Sequence, residues 1–194
     1  MSSPFESQSF CECRVTVLVG DISQQHVDVI VNAANSTLMG GGGVDGAIHH
    51  AGGAQILEEC KELRRTRFPK GLPTGEAVIT SGGKLAARHV IHTVGPIKGR
   101  AGDRDAQLLA SCYRACLNLA VEHDLRTIAF PSISTGAFGY PREEAALVSS
   151  QAIASFLSKD SLLKEVRLVF YKQGDANVFL KNHGFMSNGG GGIK

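Results

Sequence analysis

Apolar runs and segments with helical spacing alternate along the chain. Six segments are strongly apolar, a pattern typical of strands buried in a sheet, at residues 15–19, 27–31, 77–80, 90–94, 128–133 and 166–171. Between them, apolar residues recur every three or four positions, as in amphipathic helices, over residues 44–54, 55–63, 108–119, 141–156 and 175–183. Strands that alternate with helices predict a layered α/β/α sandwich.

The length and composition indicate one folded domain. The chain has 194 residues, of which 43% are hydrophobic and 20% are charged, which suits a sizeable core and argues against disorder. We expect residues 1–12 to be a flexible N-terminal segment and residues 13–186 to form the domain. Residues 187–194, which include four consecutive glycines, are expected to be a disordered tail.

Charge, hydropathy and cysteine usage narrow the choice of partners and location. The net charge is +2 and no long basic run occurs, which argues against nucleic-acid binding. No apolar stretch reaches the length of a membrane span, and no charged leader precedes an apolar run, so neither membrane insertion nor secretion is predicted. Five cysteines without repeated spacing indicate reduced thiols, which fit the cytoplasm or the nucleus. A monomer is the default expectation.

Two glycine-rich loops run directly into predicted helices. They span residues 40–46 (GGGGVDG) and 134–141 (STGAFGYP). Glycine lets the backbone approach a ligand closely, and a helix start offers unpaired N–H groups to an anion. The pair therefore favours binding of a diphosphate, and tight turns chosen for packing are the alternative. The first loop also has the spacing Gly-x-Gly-x-x-Gly, but dinucleotide-binding loops follow their strand directly, whereas here residues 32–39 intervene.

Polar residues before and inside the first loop are candidates for chemistry. Asn32 is interpreted as a polar turn residue that ends the second strand. Asn35 lies nearer the glycines, and its amide suits the hydroxyl groups of a ribose. Asp45 is suited to activating a water molecule, although complementing the helix dipole would also explain it. His49 and His50 have no further metal ligands near them in the sequence, so no metal is predicted.

Three further residues stand at strand ends or in the second loop. Asp21 follows the first strand and is suited either to accepting a hydrogen bond from an exocyclic amine or to capping a turn. Phe138 and Tyr171 are placed to stack on a ring, with core packing as the alternative. None of the three carries a functional prediction by itself.

Taken together, these motifs resemble a macrodomain. The resemblance runs from about residue 17 to about residue 171 and rests on six motifs in order, at residues 20–22 (GDI), 27–35 (VDVIVNAAN), 41–46 (GGGVDG), 73–75 (PTG), 92–96 (HTVGP) and 133–136 (ISTG). Residues 43–49 (GVDGAIH) resemble the MacroD-type hydrolases most closely. One departure is the segment His-His-Ala-Gly-Gly at residues 49–53, where His-Arg-Ala-Ala-Gly is more usual.

The resemblance implies a three-layer α/β/α sandwich with a central mixed, mostly parallel sheet, and binding of ADP-ribose without a cofactor. By this analogy Asp21 and Ile22 contact the adenine, Tyr171 lines its side of the cleft, and Asn35 and Asp45 are the catalytic pair at the distal ribose. The diphosphate and distal ribose would be held by Gly42, Gly43, Val44, Ser134, Thr135, Gly136, Ala137 and Phe138.

The same resemblance implies hydrolysis of an ester at the distal ribose by a positioned water molecule. The implied substrates are mono-ADP-ribosylated Asp or Glu side chains of proteins and O-acetyl-ADP-ribose, and the implied partners are mono-ADP-ribosylated proteins. A module that binds ADP-ribose without turnover is the alternative. The zinc-dependent branch of the family is not indicated, because its Cys/His ligand pattern is absent from the sequence.

Overall fold

A computed structural model describes residues 4–10, 12–159 and 162–185. Within these residues a single sheet contains seven strands, with five α-helices around it. The strands are β1 (Pro4–Phe10), β2 (Cys13–Val19), β3 (Val29–Ala34), β4 (Ala77–Ser81), β5 (His89–Val94), β6 (Thr127–Phe130) and β7 (Glu165–Phe170). The helices are α1 (Gly43–Gly52), α2 (Ala54–Thr66), α3 (Asp105–Glu122), α4 (Arg142–Leu157) and α5 (Gln173–Asn182).

The sheet is mixed, with a parallel centre and antiparallel edges. Its strand order is β1-β2-β7-β6-β3-β5-β4. Strands β2, β7, β6, β3 and β5 run parallel to one another, whereas β1 and β4 pair antiparallel with β2 and β5. The carboxyl ends of five adjacent strands therefore lie at one edge, where ligands bind in open α/β sheets.

Helices cover both faces of the sheet and make the three-layer sandwich that the sequence predicted. Ile30 points to one face, where it packs with residues of α1 and α2 such as Ile48 and Ile56. Val29 and Val31 point to the other face, into the core that α3, α4 and α5 complete. Alternate residues of β3 thus serve opposite cores, which is why its sequence is continuously apolar.

Two local features differ from the sequence-based expectations. In the N-terminal segment expected to be flexible, Pro4–Phe10 forms β1 and pairs with β2. An edge strand needs pairing on one side only, so a polar segment can form one. In addition, β3 continues to Ala34, which places Asn32 inside the strand and fully buried. The predicted glycine-rich tail lies outside the described residues.

None of the helices in the described part of the chain combines the length and the apolar character that crossing a bilayer would require.

Candidate functional site

Asp21 and Tyr171 follow the ends of two neighbouring strands, β2 and β7. The Gly20 N–H donates to the Phe170 carbonyl oxygen at 2.9 Å, which joins the two chains where they leave the sheet. Tyr171 is 80% exposed and therefore accessible to a ligand. Asp21 caps a short 3-10 turn, since its carboxylate accepts from the N–H and the hydroxyl of Ser23. The capping role is thus present, and contact with an adenine amine stays a prediction.

The turn that Asp21 caps reaches the neighbouring helix layer. Ile22 begins this turn, is buried in the core shared with α1, and leads a segment packed against that helix. The proposed adenine end of the site is therefore tied to the helix that starts at the first glycine loop.

Both glycine-rich loops enter helices without a side-chain cap. Gly42 is the cap residue of α1 and Pro141 that of α4, and neither helix has a side-chain hydrogen bond at its cap. The first N–H groups of each helix are consequently available to an anion. The loops follow β3 and β6, which are adjacent parallel strands, so both leave the same edge of the sheet. Binding of a diphosphate between these loops stays a prediction.

The second loop begins with a strained residue. Ser134 has a φ of 67°, a left-handed conformation that costs a non-glycine residue about 1–3 kcal/mol. Its buried hydroxyl oxygen has no hydrogen-bond partner among the described residues. A Cβ at Gly95, which follows β5, would lie only 2.1 Å from this oxygen. Backbone strain at Ser134, its unpartnered hydroxyl group and a neighbouring position where only glycine fits are together typical of a ligand-binding loop. The remaining predicted residues of this loop, Thr135 to Phe138, are at least partly exposed.

Asn35 and Asp45 meet at the start of α1. Asp45 is the third residue of that helix and only 3% exposed, and its Oδ2 lies 3.4 Å from the Asn35 Nδ2. The Asn35 amide also donates to the Gly40 carbonyl and accepts from the Thr37 N–H, so Asn35 shapes the loop as well. The structure therefore brings the predicted catalytic pair together.

A glycine keeps space open beside this pair. A Cβ at Gly41 would lie 3.0 Å from Asp45 Oδ2 and 3.3 Å from Asn35 Nδ2. Gly41 itself is exposed to solvent. A water molecule or a ligand atom can thus approach the two side chains from the Gly41 side.

The Asp45 carboxylate is held from behind by buried groups. The Asn32 Nδ2 donates to Asp45 Oδ1 at 2.7 Å, and the His49 Nε2 lies 3.5 Å from the same oxygen. Burial raises the pKa of Asp45, and the hydrogen bond from Asn32 and the proximity of His49 only partly offset this effect. A carboxylate with a raised pKa is better matched to proton transfer near neutral pH than a solvated one.

Sequence reasoning missed Asn32 and His92 as parts of this site. Asn32 was interpreted as a turn residue, yet it is inside β3, and its Nδ2 is 3.1 Å from the His92 Nδ1. The His92 Nε2 lies 2.9 Å from the Thr80 hydroxyl oxygen. Both residues belong to motifs that carried the macrodomain resemblance, but their spacing of 60 residues gave no sign of contact.

The fold also gathers three possible metal ligands that are distant in sequence. His49, Cys60 and His92 are the one such group among the described residues, with ligand atoms within 4.8 Å of one another. Burial, aided by the charges of Asp45 and Glu59, raises the pKa of the Cys60 thiol to about 12, which disfavours the thiolate that binds a metal. Both ring nitrogens of His92 already face hydrogen-bond partners. These contacts fit a metal poorly, and the absence of a metal stays a prediction.

Comparisons with known proteins identify the family. The Macro domain family model matches residues 31–149. A Salmonella gallinarum protein named O-acetyl-ADP-ribose deacetylase is 48% identical over 168 residues, which cover 87% of this chain and 93% of that protein. The Oceanobacillus iheyensis macrodomain with ADP has a TM-score of 0.89 at 44% identity, covering 91% of this chain and 93% of that one.

A more distant structure, the Trypanosoma brucei macrodomain in complex with ADP-ribose, has a TM-score of 0.78 at 36% identity and covers 86% of this chain and 68% of that one. The fold and the site thus define an α/β/α protein with two glycine-rich loops that lead into helices without a side-chain cap, and with an amide–carboxylate pair at one of these helix starts. The chain belongs to the macrodomain family. The similarity to proteins named as deacetylases supports the MacroD-type branch that its motifs predicted.

Proposed function

We propose that the protein binds ADP-ribose and hydrolyses esters at its distal ribose. The observation that carries this proposal is the contact between Asn35 and Asp45 at the uncapped start of α1. This places an amide for ribose hydroxyls and a carboxylate of raised pKa next to N–H groups suited to a diphosphate. The relative named O-acetyl-ADP-ribose deacetylase supports the reaction type.

The proposed step is direct attack by water on the ester. The water oxygen bonds to the carbonyl carbon of the ester while Asp45 accepts a proton from that water. The bond between this carbon and the ribose oxygen then breaks, and the proton passes to the ribose oxygen. The products are a carboxylic acid and ADP-ribose. General-base help of this kind contributes about a hundred- to ten-thousandfold in rate.

We propose two substrate classes for the same site. O-acetyl-ADP-ribose and ADP-ribose on an Asp or Glu side chain of a protein are both esters of the distal ribose. Gly41 to Gly43 are exposed, so the acyl side of the ester has room to extend into solvent as part of a protein. Mono-ADP-ribosylated proteins are accordingly the proposed partners.

The test is turnover of both substrates by the wild-type protein and by Asp45→Ala, with ADP-ribose affinity measured in parallel by calorimetry. Wild type should release acetate from O-acetyl-ADP-ribose and should release ADP-ribose from the modified protein. Asp45→Ala should turn over both substrates at least a hundredfold more slowly while still binding ADP-ribose. Binding without turnover by wild type would favour a reader module instead. Turnover that is unchanged in Asp45→Ala would refute the assigned base.

A further inference from the structure

The amide nitrogen of Asn32 uses both of its hydrogens in the core. One is directed at Asp45 Oδ1 over 2.7 Å and the other at His92 Nδ1 over 3.1 Å. Asn32 is fully buried, and its own Oδ1 has no hydrogen-bond partner among the described residues. Turning the amide over would bring this oxygen against the Asp45 carboxylate. The orientation with two donated bonds is therefore the favourable one.

Beyond Asn32, each hydrogen bond is donated away from Asp45, from Asn32 to His92 and onward to Thr80. A His92 Nδ1 that accepts must leave the ring proton on Nε2, where it is donated to the Thr80 hydroxyl oxygen at 2.9 Å. The Thr80 hydroxyl in turn donates to the Ser81 carbonyl at 3.1 Å. Burial, helped by the proximity of His49, lowers the pKa of His92 to about 3, so the ring remains a neutral acceptor at working pH.

We propose that Asn32 and His92 are positioning residues that fix the Asp45 carboxylate through this chain of hydrogen bonds. The proposal rests on the proposed function, in which Asp45 accepts the proton of the attacking water. With His92 Nδ1 as its second acceptor, the Asn32 amide cannot rotate, and its other N–H stays on Asp45 Oδ1. Neither residue is exposed, so both act on the reaction through Asp45 rather than by touching the ligand.

Other ionisable groups also face the Asp45 carboxylate and must be kept constant in a test. His49 approaches it from α1, and Cys60 influences it from α2. Substitutions at His92 and Thr80 retain both groups, and Thr80→Val also retains the His92 ring, which lies 3.8 Å from the Cys60 Sγ and 5.9 Å from the His49 ring. They also leave the sequences of the two glycine-rich loops unchanged, so ligand binding and proton transfer can be separated.

The experiment compares His92→Phe with His92→Asn and Thr80→Val. Phenylalanine keeps a flat ring but offers Asn32 no acceptor. Asparagine can place its side-chain oxygen near the original Nδ1. Valine at position 80 preserves shape and removes the acceptor for the Nε2 proton, so it tests the chain if His92→Phe folds poorly. The readouts are kcat and KM for O-acetyl-ADP-ribose from pH 4 to pH 9, with ADP-ribose affinity measured by calorimetry.

In His92→Phe we expect kcat to fall about tenfold or more while KM and ADP-ribose affinity stay within about twofold. The acidic limb of kcat should move up by about one pH unit, since one hydrogen bond to a charged group is worth about that much. Thr80→Val should shift the limb in the same direction by less. His92→Asn should recover most of kcat and the original limb.

The proposal is overturned if folded His92→Phe and Thr80→Val keep the wild-type acidic limb. It is also overturned if kcat and affinity fall together, or if His92→Asn is as impaired as His92→Phe. Failure of the proposed function is distinguishable, because the Asp45 carboxyl can be titrated by ¹³C NMR without substrate. A rise in its pKa in His92→Phe supports positioning even if wild type turns over neither ester, and no change refutes it.

Discussion

Gly41→Ala should separate activity from stability. The new methyl group would lie 3.0 Å from Asp45 Oδ2 and 3.3 Å from Asn35 Nδ2, closer than ordinary contacts, so both side chains must move by a few tenths of an ångström. It would also fill the space through which water approaches the pair. A misplacement of about 1 Å can cost about a hundredfold in rate, so we expect kcat to fall about ten- to a hundredfold.

The same substitution should leave the fold intact. Gly41 does not have a left-handed φ. Replacing such a glycine by alanine stabilises a protein by about 0.4–1 kcal/mol, because it reduces the conformational entropy of the unfolded chain. Gly174→Ala, in open space within α5, is the matched control and should gain similar stability at full activity. Gly46→Ala should unfold more easily, because its Cβ would lie 2.5 Å from the Gly41 carbonyl oxygen.

Steady-state assays and urea unfolding of these three variants check the reasoning. If Gly41→Ala turns over substrate as fast as wild type, the space beside the pair is not the route of the attacking water. If its activity falls only in proportion to its stability, the effect is general damage to the fold rather than displacement of the catalytic pair.

Three further predictions concern ionisation and metal. Burial raises the pKa of Asp45 above 3.8, so the protonated carboxyl group favours the folded state, and this stability is lost as the pH rises and the group ionises. Asp45→Asn should therefore unfold at a higher urea concentration than wild type at pH 7, and the difference should vanish below about pH 4. Asp28 behaves oppositely. Burial raises its pKa, but hydrogen bonds to its carboxylate, of which that from the Arg126 N–H has the largest effect, lower the pKa overall. Asp28→Ala should therefore reduce the free energy of unfolding in urea by about 1–3 kcal/mol at pH 7 and by less below about pH 4. Dialysis against a chelator should leave turnover unchanged, because the Cys60 thiol has a pKa of about 12 and His92 is hydrogen-bonded at both nitrogens; a loss that zinc restores would contradict this.

The layered fold and the placement of the glycine-rich loops before helices could be predicted because they depend on local patterns. The continuous apolar run before Asn32 predicted a strand buried on both faces, and the first glycine-rich loop leads into a helix as its sequence predicted. In the same way, the pairing of Asn35 with Asp45 followed from the family motifs and is present in the structure.

The groups behind Asp45 could not be predicted, because their environment is created by tertiary packing. Asn is common in turns, so the sequence predicts a turn at Asn32. A buried amide is favourable there only because tertiary packing places Asp45 and His92, from other elements, within hydrogen-bond distance of it. At Asp21, by contrast, a contact between residues close in sequence could be predicted, because capping a turn was one of its two interpretations and the structure contains that contact. Strand β1 could not be predicted because its sequence lacks a long apolar run, and it forms through pairing with β2.

The order of strands in the sheet makes the site depend on contacts between distant parts of the chain. The strands that end at Val19, Phe170, Phe130 and Ala34 are spatial neighbours, although they come from opposite ends of the chain. A ligand that bridges their loops can bind only after these distant segments have assembled, so its binding energy stabilises the assembled fold rather than any fragment. At a hundred times its Kd, such a ligand would add about 2.7 kcal/mol to the free energy of unfolding.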